Sequence, residues 1–151
     1  MRVVIQKVKQ ASVTVGNKLI SAIKNGLLVL VGIESEDTEN DIDYLVRKIV
    51  QLRVFNDEND VMNLSVQEIG GHVIVVSQFT LHASTKKGNR PSYIRAARPE
   101  FSIPMYKKFV AAMEDALGKK IETGEFGAMM DVALINDGPV TIIIDSKQKD
   151  F

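Results

Sequence analysis

Strand-like stretches open the chain: Val3 to Val8 and Ser12 to Val15 are rich in β-branched residues, Gly16-Asn17 offers a tight turn, and Lys18 to Ile23 continues a hairpin. The pattern predicts a β-meander at the start. Gly26 to Ile33 (GLLVLVGI) is apolar throughout, as expected of a strand covered on both faces and central to the core. His72 to Phe79 (HVIVVSQF) reads as a second buried strand, and Arg53-Val54-Phe55, followed by the polar run Asn56 to Asp60, as a short strand and turn. Two more apolar strands, Met130 to Ile135 and Val140 to Asp145, are joined by Asn136-Asp137-Gly138-Pro139, a link short enough to force a sharp reversal or a corner.

Between these strands the period changes. Ile42, Leu45, Val46, Ile49 and Val50 recur at helical spacing behind Thr38, a good N-cap, with Glu39 or Asp41 suited to the first turn. A second helix is predicted over Ile103 to Leu117, with Pro104 in its first turn, Phe109, Val110, Met113 and Leu117 on its buried face, and Gly118 ending it. No repeat, linker or low-complexity tract divides the chain, so residues 1–151 are expected to form a single domain of α/β class, a β-rich core with two main helices packed on the outside.

With 45% hydrophobic residues in a chain of 151, one core forms without covalent staples. There is no cysteine, which removes disulfides, thiolate metal sites and a cysteine nucleophile, and suits a reducing cytoplasm. The first apolar run breaks at Gln6-Lys7, too soon for a signal peptide or a membrane span, so a cytoplasmic protein without membrane contact is expected. Nineteen basic residues balance nineteen acidic ones, and no global positive field exists to hold a long nucleic-acid backbone. Any RNA contact must therefore be local. Lys86, Lys87, Arg90, Arg95 and Arg98 follow one another without an intervening acid, within and just beyond an exposed loop predicted over His82 to Ser92. They are either a solvated surface or, where an active site adjoins them, a phosphate-contacting loop.

The usual catalytic constellations are missing. His72 and His82 match no zinc spacing, and neither a Walker loop, a dinucleotide fingerprint nor a G-x-S-x-G elbow is present, so no metal and no cofactor is expected. Two patches at strand ends remain. In Ser77-Gln78-Phe79-Thr80-Leu81 an apolar strand finishes in small polar groups; they are either ordinary strand residues or a place where free backbone N–H donors could hold an oxyanion. In Asn136-Asp137-Gly138-Pro139-Val140-Thr141 a proline stands between two buried strands, which implies an edge, a bulge or a cis bond, because proline offers no ladder donor.

Together these two patches resemble the signature motifs of the D-aminoacyl-tRNA deacylase (D-tyrosyl-tRNA deacylase) family. The likeness extends to the opening hairpin, Val4-Ile5-Gln6-Lys7-Val8 with Ala11-Ser12-Val13-Thr14-Val15, and to Thr123-Gly124-Glu125-Phe126-Gly127-Ala128-Met129-Met130. The resemblance implies a barrel-like core of two packed sheets and a homodimer in which a cis Gly138-Pro139 element projects into the partner's active site. It further implies that the backbone of Ser77, Gln78, Phe79 and Thr80 cradles the ester, while Phe126 and Met130 help hold the terminal adenine of tRNA. Lys7 stands where the family usually carries an arginine that braces the Gly-Pro element; an ammonium supplies the charge without the bidentate fork.

The activity so implied is proofreading: hydrolysis of the ester of D-aminoacyl-tRNA, bound by its 3′-terminal adenosine and acceptor end. Main-chain carbonyls at Gly138-Pro139, with Asn136 beside them, would reject an L-residue by collision with its Cβ, and for the same reason would admit glycine, including glycyl-tRNA(Ala). Thr80 has no evident base to activate it, so the chemistry implied is assisted by the ribose 2′-OH of the RNA, with backbone amides stabilising the oxyanion. A small-ester hydrolase with a Thr80 nucleophile and a non-catalytic dimer that binds tRNA ends are the competing readings.

Overall fold

The structure is a computed structural model and describes residues 1–150. Its organising element is β1 (Arg2–Val15), a single long strand rather than two short ones. On one edge its first half pairs antiparallel with β3 (Gly26–Gly32), Val3 opposite Val31, and its second half with β2 (Lys18–Ile23), Ala11 opposite Ile23. Along the other edge runs β8 (Asp131–Asp145), from Arg2 opposite Asp145 to Thr14 opposite Asp131. β6 (His72–Ser77) lies parallel to β3, and the short β7 (Glu122–Thr123) parallel to β6. A separate ribbon joins β4 (Phe55–Asn56) to β5 (Met62–Leu64). The two packed layers are parts of one curled, nearly closed six-stranded sheet.

Strand parity explains why β3 and β6 are apolar throughout. Val29, Val31, Val73 and Val75 face the helices with Val3 and Ile5. The alternate residues, Leu28, Ile74 and Val76, face an inner core with Val8, Ala11, Val13 and Ile23. Each strand feeds two cores because successive side chains point to opposite faces. An irregularity between Val8 and Gln10 shifts the parity of β1, so that Ala11 and Val13 stay on the inner side with Val8 as the sheet folds over itself.

Helix α1 (Glu39–Gln51) starts as its sequence predicts. The Thr38 N–H donates to the Asp41 carboxylate at 2.8 Å, and Ile42, Leu45 and Ile49 enter the outer core. Helix α2 (Pro99–Leu117) starts earlier than its sequence pattern indicates. Pro99, not Pro104, occupies the first turn; Pro104 lies inside the helix and forgoes one bond to the exposed Glu100, where water can substitute. Gly118 ends α2 in the left-handed conformation.

Three further strand expectations change. The link Asn136 to Pro139 neither reverses the chain nor turns a corner: β8 continues antiparallel to β1 on both sides of it. The step from Gln6 to Val8 is matched by the step from Thr141 to Asn136, so β8 carries its surplus residues as an outward bulge, which accommodates a proline without a ladder donor. β6 ends at Ser77, not Phe79, because Phe79–His82 wind into a 3-10 turn. The stretch from Arg53 forms strand only at Phe55. No helix among the described residues is long and apolar enough to cross a membrane.

Candidate active site

Because β3 and β6 run parallel, the chain leaves both at the same end of the sheet, where open α/β sheets form clefts. A cavity of about 620 Å³ opens there. One wall is Ser77, Gln78 and Phe79. The Gln78 N–H makes the last rung to the Val31 carbonyl (2.8 Å), and the 3-10 turn begins with the Leu81 N–H donating to the Gln78 carbonyl (3.2 Å). The amides of Phe79 and Thr80 precede that first bond and have no acceptor within the turn. Thr80 itself does not line the cavity; its Oγ1 accepts a hydrogen bond from Gln78 Nε2.

The turn is packed hard against β3. A Cβ on Gly32 would stand 3.0 Å from Leu81 Cβ and His82 Cδ2, and 3.1 Å from the Gln78 carbonyl oxygen. Behind it His82 is fully buried, with the Glu34 carboxylate 3.5 Å from Nδ1. Burial pushes the imidazole pKa down, against the opposing pull of the Gly32 backbone and of Glu34. Glu34 also pairs with Arg95 at 2.8 Å.

The facing wall comes from Phe126 to Met130. The Gly124 N–H donates to the Val75 carbonyl at 3.1 Å, and a Cβ at Gly124 would meet Met130 Sδ at 2.7 Å, so the absent side chain lets Met130 fold over the segment. The Phe126 ring meets Tyr106 edge to face with centroids 5.6 Å apart. The N-terminus of α2 closes the third side through Arg98, Pro99 and Ser102, and Tyr93 stands at the rim, its ring 5.1 Å from that of Phe79.

Lys7, Asn136, Gly138 and Pro139 form a second cluster that does not line this cavity. Asn136 Nδ2 donates to the carbonyls of Lys7 (2.9 Å) and Val140 (3.0 Å), closing the base of the bulge. The Lys7 ammonium is largely buried, 3.5 Å from the Asp137 carboxylate, 3.5 Å from Asn56 Oδ1 and over the Phe55 ring. Gly138 and Pro139, joined by a cis peptide bond, are exposed at the crest. In the basic stretch, Lys86, Lys87 and Arg90 are exposed on a loop clasped by mutual Ser84 and Ser92 backbone bonds, whereas Arg95 is held by Glu34 and Arg98 lines the cavity.

The helix-borne wall has no counterpart in the sequence motifs. Tyr93 and Ser102 carry no motif signal, Arg98 shows in the sequence only as the end of the basic stretch, and Tyr106 is visible only as one more apolar-face position at helical spacing with Phe109 and Met113.

Comparison with known proteins agrees with this layout. A structure described as c-Myc DNA unwinding element binding protein is 42% identical, with a TM-score of 0.92 over 96% of this chain and 98% of that one. Another, described as a probable eukaryotic D-amino acid tRNA deacylase, shares the fold at 17% identity, with a TM-score of 0.82 over 95% of this chain and 97% of that one. A Flavobacterium johnsoniae protein named D-aminoacyl-tRNA deacylase is 65% identical over 150 residues, 99% of this chain and 100% of its own. The family model described as D-Tyr-tRNA(Tyr) deacylase matches residues 4–145, and the chain belongs to that family.

Proposed function

We propose that the protein hydrolyses the ester of D-aminoacyl-tRNA in the cytoplasm, releasing free D-amino acid and tRNA. The observation that carries this reading is the cavity at the ends of β3 and β6, where the Phe79 and Thr80 amides open a turn and Phe126 and Met130 stand opposite. The terminal adenosine enters between the apolar walls, where a base face finds aromatic and thioether contacts. The ester carbonyl lies against Ser77 to Thr80, whose backbone donors stabilise charge as the oxyanion develops.

Thr80 is not the nucleophile in this mechanism. Its oxygen already accepts from Gln78, and a threonine hydroxyl needs a base to act. The vicinal 2′-OH of the ribose positions water or polarises the carbonyl, making hydrolysis RNA-assisted.

The working unit is a homodimer. Two features support it: β8 is paired along one edge only, with Ile135 and Ile143 exposed, and an unpaired apolar edge of this length invites a partner. The exposed Gly138-Pro139 crest of one subunit then reaches the site of the other. Its carbonyls accept the substrate amino group, collide with the Cβ of an L-residue and leave glycine unopposed, so glycyl-tRNA(Ala) is also cleaved. Lys86, Lys87 and Arg90 contact acceptor-stem phosphates.

The test is hydrolysis of D-tyrosyl-tRNA against L-tyrosyl-tRNA by purified protein with chelator present. Selective loss of the D-ester supports the reading. Equal rates, or an acyl adduct trapped on Thr80, would replace it with an ordinary esterase, and binding without turnover with a tRNA-end-binding dimer.

A further inference from the structure

Ser102 sits in the second turn of α2 and lines the cavity, yet it is only 7% exposed. Among the described residues its hydroxyl has no hydrogen-bond partner. A helical serine commonly folds its hydroxyl back onto the carbonyl four residues earlier. Here the Arg98 carbonyl already accepts from the backbone N–H groups of both Phe101 (3.0 Å) and Ser102 (2.9 Å), which occupies its two lone pairs, and the hydroxyl is left for the cavity.

Among the other polar side chains of the lining, Gln78 donates to Thr80, Tyr93 and Arg98 are exposed at the rim, and Ser77 is only half-buried, at the end of β6. The cavity that Ser102 lines is largely apolar, with Ala97, Phe126 and Met130 among its walls. A hydroxyl on the wall of such a cavity is met by water while the space is open, and needs a new partner once a ligand displaces that water, which a ligand with a polar edge supplies. A purine fits that description, with faces that need apolar or aromatic contact and an edge that loses its water on entry.

We infer that the Ser102 hydroxyl hydrogen-bonds the base edge of the 3′-terminal adenosine, and so is a specificity-determining residue for the tRNA end. This rests on the proposed placement of that adenosine in the cavity. The hydroxyl can donate to a ring nitrogen or accept from the 6-amino group, and either bond fixes the rotation of the base within a box whose walls alone would let it slide. Ser102 has no part in choosing D over L, because it faces the base and not the amino acid.

The experiment is a cycle between protein and RNA. Full-length wild type and Ser102→Ala are assayed on D-tyrosyl-tRNA ending in adenosine, in 1-, 3- or 7-deazaadenosine, or in purine riboside, which lacks the 6-amino group. Alanine is a better helix former than serine, so the variant keeps α2, and its melting curve checks this. Expected is a three- to tenfold loss of kcat/KM on natural tRNA, about the size of one net neutral hydrogen bond, expressed in KM with the D/L ratio unchanged. One analogue should cost the wild type the same factor and cost Ser102→Ala nothing more, which also identifies the atom bonded. Wild-type rates from Ser102→Ala, or losses that multiply independently for all four analogues, would overturn the inference while leaving the deacylase reading intact. A wild type that leaves D-tyrosyl-tRNA uncleaved would overturn both.

Discussion

Tyr106 donates its buried hydroxyl to the carbonyl oxygen of Val75 at 2.8 Å, tying α2 to β6 two residues before that strand ends at the site. The same ring props Phe126, so one side chain sets the spacing of two cavity walls. Burial pushes the phenol up to about 12. A raised pKa means stability fully present below the ordinary value near 10 and lost as pH climbs through the folded one. Urea unfolding between pH 9 and 12 should therefore show declining stability in the wild type and a flatter profile in Tyr106→Phe. At pH 7 that variant should be weaker by about 0.5–1.5 kcal/mol, a modest value because Val75 still accepts from Gly124.

The Met1 ammonium and the Asp37 carboxylate form a fully buried ion pair, with Ser146 Oγ as a second acceptor for the ammonium. Removing one charge strands the other. Asp37→Asn should lower the unfolding free energy by about 3–5 kcal/mol, read as a fall in the urea midpoint. A change within experimental scatter would show that the pair is not desolvated as described.

His82 titrates in the opposite sense to Tyr106. Its folded pKa is depressed, so the stability it contributes is present above about 6.5 and lost as pH falls through the folded value. Melting temperatures measured from pH 7.5 to 5 should drop more steeply for the wild type than for His82→Leu, which leaves no imidazole to protonate. Parallel curves would sink this assignment.

Gly32→Ala separates site geometry from stability. The added methyl forces the turn at Gln78 to His82 to give by a few tenths of an ångström. Overpacking of this kind costs about 1–3 kcal/mol. Under the proposed mechanism, displaced Phe79 and Thr80 amides should lower kcat by about tenfold or more, as loss of oxyanion donors does. Unchanged turnover in a folded Gly32→Ala protein would argue against backbone oxyanion stabilisation.

Reversing charge at Lys86, Lys87 and Arg90 together should weaken tRNA binding and flatten its dependence on salt, by a slope of roughly 0.7–0.9 for each phosphate that is no longer neutralised. An unaltered slope would leave the loop as a solvated surface. Arg95 makes a poorer probe, since its guanidinium is already engaged by Glu34.

The elements most legible in the sequence were those with uninterrupted physical signals. β3 and β6 are apolar because both faces are covered, and α1 shows a clean helical period behind Thr38. β8 read as two strands because Gly138-Pro139 resembles a break, and nothing local says that β1 runs past it on both sides. The start of α2 was displaced because two prolines compete for one helix start and only packing chooses. At the site, the motif residues Ser77 to Phe79, Phe126 and Met130 line one cavity, while Ser102 and the Tyr106 hydroxyl matter through direction, which a one-dimensional pattern does not encode.

The pairing of β1 with β8 also governs how the molecule comes into being. Arg2 must find Asp145, and Thr14 must find Asp131, before the sheet is complete along that edge. Almost the whole described chain lies between those partners, so the native topology is dominated by pairings distant in sequence and its folding is correspondingly slow, on the order of milliseconds to seconds for such arrangements. During synthesis the apolar flank of β1 stays open until β8 has been made. Until then this half-built sheet presents an edge to every other nascent chain nearby, and the vulnerable moment in its life is its birth rather than its working state.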